Sequence, residues 1–285
     1  MMQITGKTKI VGVIGDPIEH SRSPQMHNAA FAELGINYVY VPFRIHPDAL
    51  PAAIEGFKAI NVVGLNVTIP HKQAVIPFLD EISREVELTG AVNTLTFENG
   101  RIKGDNTDGL GFLEGMRETG LELPHGESAL VIGAGGSARA VIVALTSIGL
   151  ETIFVANRTK SKAVKLAEDL SDTSGTAIHG IGLDDPQLAD RVNRAALVVN
   201  TASVGMDISK PPLIHAEWLR PQTAVYDIVY TPPETRLLSV AAERGCHTIQ
   251  GLSMLVYQGA IAFEKWTHVT PPVKTMKDAL QQALY

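Results

Sequence analysis

The stretch Leu130–Ala140, LVIGAGGSARA, holds the residues whose types and spacing point most directly to chemistry. It opens as a short apolar run of the kind a buried strand needs. Gly133, Gly135 and Ala138 then fall on the spacing G-x-G-x-x-G/A. In such a run the first glycine permits a tight turn and the second lets a pyrophosphate approach the backbone. The small third residue lets helix and strand pack closely. A helix starting there presents unpartnered amides, and the positive end of its dipole, to an anion. An ordinary tight strand-to-helix turn would also carry these glycines, so the next strand decides. The run 152–156 ends in Asn157-Arg158-Thr159, where an Asp or Glu would otherwise bond a ribose 2′-hydroxyl. Arg158 stands there instead, with Lys162 four residues on and on the same helical face. A guanidinium holds a 2′-phosphate through two parallel hydrogen bonds, whereas an acid would repel it. A merely solvated cationic helix start sits badly with the helix dipole. These residues point to NADP rather than NAD.

A second constellation is Lys72 with Asp108, each just past a predicted strand on loops that could share one cleft. An ammonium releases a proton readily only where desolvation or another cation disfavours its charge. A neighbouring Asp works the other way, holding the ammonium charged and oriented. Both groups could contact one substrate hydroxyl, the first as donor and the second as acceptor. A plain surface ion pair remains the alternative. Ser23 could cap a helix that begins at Pro24, and Asn66, Asn93 and Thr94 could be turn residues. Spacing alone goes as far as an NADP-binding enzyme with a polar cleft.

The elements that must position these groups alternate. Residues 10–14 read as a strand, 24–34 as a helix ended by Gly35, 38–43 as a strand, 48–58 as a helix and 62–67 as a strand. That βαβαβ order predicts a small, mostly parallel sheet with its loops at one end. Asn99-Gly100, flanked by 95–97 and Ile102, predicts a type I′ hairpin. A helix over 109–118 ends at Gly120 and carries the first domain boundary. Strands follow at 129–132, 152–156, 177–179, 196–200, 224–227 and 247–249, with helices over 137–148, 160–170 and 234–244. This is the pattern of a doubly wound nucleotide domain. After Gly251 two helices, 252–266 and 273–284, follow with no strand, and they are expected to pack back on the first domain.

The chain has 285 residues, enough for about two domains. It is 45% hydrophobic and 19% charged, and its net charge of −6 argues against a nucleic-acid partner. No stretch approaches the ~20 apolar residues that span a bilayer, and the N-terminal run lacks a signal-peptide core. Cys246 is the only cysteine, which excludes an internal disulfide and a cysteine-based metal site. The nine histidines show no zinc-ligand spacing, so no metal is expected. A cytoplasmic protein with small-molecule partners, as a monomer or homodimer, fits these bounds.

In order along nearly the whole chain, the runs GDPIEHSRSPQMHN, NVTIPHK, GAVNT, NTDG, GAGGSARA, NRT, NTASVGM, YDIVY and GLSMLVYQGAIAF resemble shikimate dehydrogenase. The resemblance implies an α/β fold of two domains. A substrate domain would comprise 1–109 plus 252–285, and a Rossmann-type NADP domain 110–251. It implies NADPH-dependent interconversion of 3-dehydroshikimate and shikimate. Lys72 matches the lysine that exchanges the hydroxyl proton, and Asp108 its acidic partner. Ser21 and Ser23 match the hydroxyls that receive the substrate carboxylate, and Tyr230 a further donor near it. Thr68, Asn93 and Gln258 match ligands of the ring hydroxyls, with Asn66 beside them. On the cofactor side Gly133, Ala134, Gly135, Gly136 and Ser137 match the pyrophosphate loop. Asn157, Arg158, Thr159 and Lys162 match the adenosine-phosphate pocket, and Met206, Ile228, Gly251 and Met254 match positions near the nicotinamide. Two departures stand out: Lys162 where NADP members often have Arg, and His71 where an aromatic residue is common. Lys72 already does the acid–base work in the family, so His71 is not expected to share it. The rival readings are a quinate/shikimate dehydrogenase of broader specificity that accepts NAD, and a non-catalytic NADP-binding module.

Overall fold

The structure is a computed structural model that describes residues 4–171, 175–207 and 209–284. The chain divides into two compact units, Met1–Asp108 with Val256–Tyr285, and Gly109–Leu255. The sequence places the breaks after 109 and 251. The first unit opens with strand β1 (Lys9–Gly15), helix α1 (Ser23–Leu34), strand β2 (Tyr38–Arg44), helix α2 (Leu50–Ala59) and strand β3 (Gly64–Val67). There follow α3 (His71–Ala74), β4 (Glu81–Ile82), α4 (Arg84–Thr89), β5 (Thr94–Glu98) and β6 (Arg101–Asp105). The sheet order is β2-β1-β3-β5-β6-β4. β1 runs parallel to β2 and β3, whereas β5 is antiparallel to both β3 and β6. β4 is parallel to β6, so three of the five pairings are parallel, as the opening βαβαβ pattern predicts, and β5 is the antiparallel exception. The cause is local: Asn99 and Gly100 both have positive φ, 52° and 75°, the backbone a type I′ turn requires.

Ser23 does not cap α1. Arg22 is the N-cap with helical backbone angles and makes no side-chain cap bond, and Ser23 is the first helical residue. The helical pattern thus begins one residue early, and the Ser23 hydroxyl interacts with the Tyr40 phenol instead. Gly35 ends the helix in the left-handed conformation, φ 62°.

The second unit begins with α5 (Asp108–Glu118), whose first residue still belongs to the first unit. It continues through β7 (Ser128–Ile132), α6 (Gly136–Ser147), β8 (Thr152–Asn157), α7 (Lys160–Ser171), β9 (Ala177–Gly182) and α8 (Leu188–Arg194). β10 (Leu197–Asn200), β11 (Ala224–Asp227), α9 (Arg236–Glu243) and β12 (His247–Gln250) complete it. Its sheet order is β12-β11-β10-β7-β8-β9, with every pairing parallel. Counted within the unit this is 3-2-1-4-5-6, the dinucleotide order, with its switch point between β7 and β10. Both faces are covered by apolar clusters, one around Val131, Val141 and Leu145, the other around Leu130, Val198 and Val225.

Helix α10 (Gly251–Thr267) leaves the second unit partway along, and α11 (Val273–Leu284) follows. In the first unit Phe263 and Trp266 of α10 join His27 and Phe31 of α1 in one aromatic cluster. α11 buries Met276 and Leu280 and packs on α1. Among the described residues no helix is long and apolar enough to cross a membrane. None of their acidic, histidine and cysteine side chains form a group of three that could hold a metal ion.

Candidate active site

Lys72 and Asp108 meet, but not from loops. Beyond β3 the Thr68 amide still bonds the Ile14 carbonyl (3.0 Å), and the His71 amide turns back to the Thr68 carbonyl (2.9 Å). That turn starts α3, with Lys72 as its second residue. The Val92 amide donates to the Lys72 carbonyl (2.8 Å), pinning the lysine backbone beside β5. Asp108 is the first residue of α5, and its amide donates to Asn106 Oδ1 (3.0 Å). Lys72 Nζ donates to Asp108 Oδ2 at 2.5 Å, with the side chains only 16% and 7% exposed. A largely buried ion pair contributes little net stability, since desolvation offsets the attraction. Its retention asks for a functional reason.

The surrounding amides and hydroxyls bond one another. Asn93 Nδ2 donates to Asp108 Oδ1 (2.7 Å) and to Thr107 Oγ1 (2.9 Å), and lies 3.4 Å from Gln258 Oε1. Asn93 Oδ1 accepts from the Thr107 amide (2.8 Å) and from Thr94 Oγ1 (2.9 Å). Thr107 Oγ1 donates to the Gln258 carbonyl (3.0 Å). Asn66 Nδ2 donates to Thr94 Oγ1 and to the Asn93 carbonyl, both at 3.3 Å, and Asn66 Oδ1 accepts from the Tyr40 phenol (2.7 Å). Burial pushes that phenol above its ordinary pKa, outweighing the opposing interaction with Ser23. Ser23, buried, and Ser21, half-buried, stand together, the Ser23 amide 3.4 Å from Ser21 Oγ. Thr68 is half-buried at the end of β3. His71 is wholly buried with its Nε2 2.7 Å from the Ile45 carbonyl. It fastens α3 to the end of β2 and takes no part in the Lys72 contacts.

So the first unit holds Ser21, Ser23, Asn66, Thr68, Lys72, Asn93, Asp108 and Gln258, and of these Asn66, Lys72, Asn93, Asp108 and Gln258 share one bonded network. Tyr230 does not join them within that unit: it follows β11 in the second. Sequence reasoning missed Tyr40, Asn106 and Thr107. The last two adjoin Asp108 in NTDG and could have been found there. Tyr40 gave no signal, since an aromatic residue on an alternating strand looks like core.

In the second unit Gly133 has φ +114°, and a Cβ there would run into Thr201 Oγ1. Thr201 in turn donates to the Ile132 carbonyl (2.7 Å), joining β10 to β7 at the switch point. Gly135 is the N-cap of α6, and a Cβ on it would meet nothing within 4 Å. The first helical bond of α6 runs from the Arg139 amide to the Gly135 carbonyl (3.0 Å). The amides of Gly136 and Ser137 are therefore free of helical partners beside open space, which suits a pyrophosphate. Ala134 is half-buried just before them. At the end of β8, Asn157 Nδ2 donates to the Thr159 carbonyl (3.0 Å) and shapes the turn. Arg158, Thr159 and Lys162 are exposed, and Lys160 adds a third exposed cation that the sequence reading overlooked. Arg139 and Lys165 share Asp169 as partner. Among the described residues neither Arg158 nor Lys162 has an acidic partner, so both stand ready for an anionic ligand. Met206 is 59% exposed, Ile228 half-buried and Met254 buried in the unit's core. Gly251 is needed for close approach, since a Cβ there would strike the Ile228 carbonyl oxygen.

Three family descriptions match the chain in series. They are the shikimate dehydrogenase substrate binding domain over residues 13–95, shikimate / quinate 5-dehydrogenase over 118–203, and the shikimate 5'-dehydrogenase C-terminal domain over 251–281. The NADP(+) shikimate dehydrogenase of Methanopyrus kandleri is 46% identical over 285 residues, covering 99% of this chain and 98% of its own. The chain belongs to the shikimate dehydrogenase family. Among solved structures of that family, a shikimate dehydrogenase in complex with NADP+ is 40% identical, with a TM-score of 0.92 over 99% of this chain and 98% of that one. The Thermus thermophilus shikimate 5-dehydrogenase, in complex with NADP(H) and shikimate, is 37% identical, with a TM-score of 0.87 over 97% of this chain and 100% of that one. The first shikimate dehydrogenase match holds Lys72, Asn66 and Asn93, the second the glycine loop and Arg158, and the third Gln258.

Proposed function

We propose that this chain catalyses the reversible NADPH-dependent reduction of 3-dehydroshikimate to shikimate, a step toward chorismate and the aromatic amino acids. The observation that carries the reading is the Lys72–Asp108 contact of 2.5 Å inside a network of amides and hydroxyls. When bound, NADPH supplies the hydride that the ketone carbon takes up. Lys72 donates a proton to the oxygen on which negative charge develops, and in the oxidative direction takes it back. Asp108 holds that ammonium in place, while Asn93, bonded to the other carboxylate oxygen, keeps the acid from rotating. Asn66, Thr68, Asn93 and Gln258 receive the ring hydroxyls. The Ser21 and Ser23 hydroxyls donate to the substrate carboxylate without needing a buried cation, and Tyr230 is a further donor. The first unit is the substrate domain and the second the NADP domain. Gly133, Ala134, Gly135, Gly136 and Ser137 cradle the pyrophosphate, and Arg158 and Lys162 bind the 2′-phosphate. Ile228, Gly251, Met254 and Met206 border the nicotinamide. The same reading makes the protein a cytoplasmic enzyme that works on small molecules.

Steady-state assays of shikimate and quinate with NADP+ and NAD+ test the proposal. Turnover of shikimate with NADP+ is expected to dominate. Preference for quinate with NAD+ would select the broader enzyme, and no turnover with either substrate would leave a cofactor-binding module. The Lys72→Ala chain is expected to fold normally and to lose at least ~10²-fold in kcat, the usual scale of acid–base catalysis. Unchanged turnover would remove Lys72 from the mechanism.

A further inference from the structure

The motifs NTASVGM and YDIVY contain two buried polar residues with no assigned role, Asn200 at the end of β10 and Asp227 at the end of β11. Their side chains meet, Asn200 Nδ2 donating to Asp227 Oδ1 at 2.9 Å. The same Oδ1 accepts from the Val229 amide (3.0 Å), and Oδ2 accepts from Thr235 Oγ1 (2.7 Å). Asn200 also holds the loop after β10, donating to the Val204 carbonyl (2.9 Å) and accepting from the Ala202 amide (3.1 Å). Thr235 is at once the N-cap of α9, accepting from the Leu238 amide (3.3 Å).

The Asp227 carboxylate is wholly buried, and all its bonding partners here are neutral. Burying a charge among neutral donors is costly, and ordinary packing would not select it. What the arrangement achieves is geometric. One carboxylate and one amide tie the loop 201–205, the turn 228–229 and the start of α9 into one body. Met206, Ile228 and Tyr230 leave directly from those segments. We propose that Asp227, working with Asn200, is a positioning residue that holds the nicotinamide-side loops in register. This rests on the NADP-dependent reading above.

A disturbed nicotinamide end with an intact adenosine end has its own signature. In Asp227→Ala and Asn200→Ala, kcat for shikimate oxidation is expected to fall about tenfold or more, because small misplacements of reacting groups are costly. Affinity for 2′,5′-ADP, which probes only the adenosine-phosphate pocket, is expected to stay within about twofold of wild type. Asp227→Asn, which keeps the Oδ1 acceptor and the side-chain shape, is expected to recover most of the lost kcat. The proposal is overturned if kcat stays within about twofold of wild type in the alanine variants, or if 2′,5′-ADP affinity falls in step with kcat. It is overturned equally if Asp227→Asn is as impaired as Asp227→Ala. Should Asp227→Ala not fold, Asn200→Ala decides. Should neither fold, the network serves the fold and the proposal fails. Wild-type enzyme that turns over no shikimate would instead sink the underlying reading, a distinct result.

Discussion

His27 makes the stability of the first unit depend on pH in a way that can be worked through. Its ring is fully buried, and neither ring nitrogen has a hydrogen-bond partner. It stacks on Tyr40 at 4.3 Å with 3° between the planes, and lies 5.6 Å from the Trp266 indole. Burial pushes the imidazole down to about 3, against about 6.5 in an unfolded chain. Between those values only the unfolded chain takes up the proton. Stability is therefore fully present above about pH 6.5 and is lost as the pH falls toward the folded value. At pH 5 the proton stabilises the unfolded chain by about 2 kcal/mol, and at pH 7 by only about 0.2 kcal/mol. The native ring stays neutral at both. The loss assignable to His27 is thus about 2 kcal/mol between pH 7 and pH 5. Urea unfolding at the two pH values, followed by tryptophan fluorescence, measures it. The chain has two tryptophans, so a Trp218→Phe background leaves Trp266 as the reporter of the first unit. His27→Phe keeps a ring in the stack and removes the titration. Whatever it does to stability at pH 7, the loss on going to pH 5 is expected to shrink by about 2 kcal/mol. Equal losses in the two chains would refute the claim that this histidine is buried uncharged.

Two further outcomes follow from the geometry. Arg158→Ala is expected to weaken NADP+ by about 10- to 100-fold, the scale of a charge-assisted hydrogen-bonded pair, and NAD+ by no more than about twofold. Calorimetric titration of both cofactors checks it, and equal weakening would mean that Arg158 does not read the 2′-phosphate. Gly64→Ala would drive a Cβ into the Trp266 indole, whose Nε1 donates to the Leu95 carbonyl at 2.9 Å. A cost of about 1–3 kcal/mol in urea unfolding is expected from overpacking of this kind, and an unmoved midpoint would show that the indole yields freely.

Much of this molecule was legible beforehand because its signals are local. The glycine turn, the Asn-Gly hairpin and the Gly35 stop each depend on neighbours within a few residues. Short elements were lost where periodicity has no room to declare itself. α4 covers only Arg84–Thr89, although Ser83 before it and Gly90 after it are ordinary caps. α8, Leu188–Arg194, buries only Leu188 and Val192. Ser23 misled because Pro24 suits the second helical position as well as the first. The polar network is another matter. Asn93 meets Gln258 across 165 residues of chain, and Lys265 meets Asp105 across 160. No spacing encodes such pairs; the likeness to a family supplied the names of the residues, and the coordinates supplied who bonds to whom.

The order in which the chain is threaded has a consequence during synthesis. The second unit is complete once Leu255 has been made, and it can condense while the ribosome is still at work. The first unit begins earlier and finishes later: its sheet is long since translated when Phe263 and Trp266 arrive to close over His27 and Phe31. Until then the nascent protein holds a finished Rossmann sheet and, in its first unit, an open hydrophobic wound, and a premature stop within α10 would leave that wound permanently uncovered.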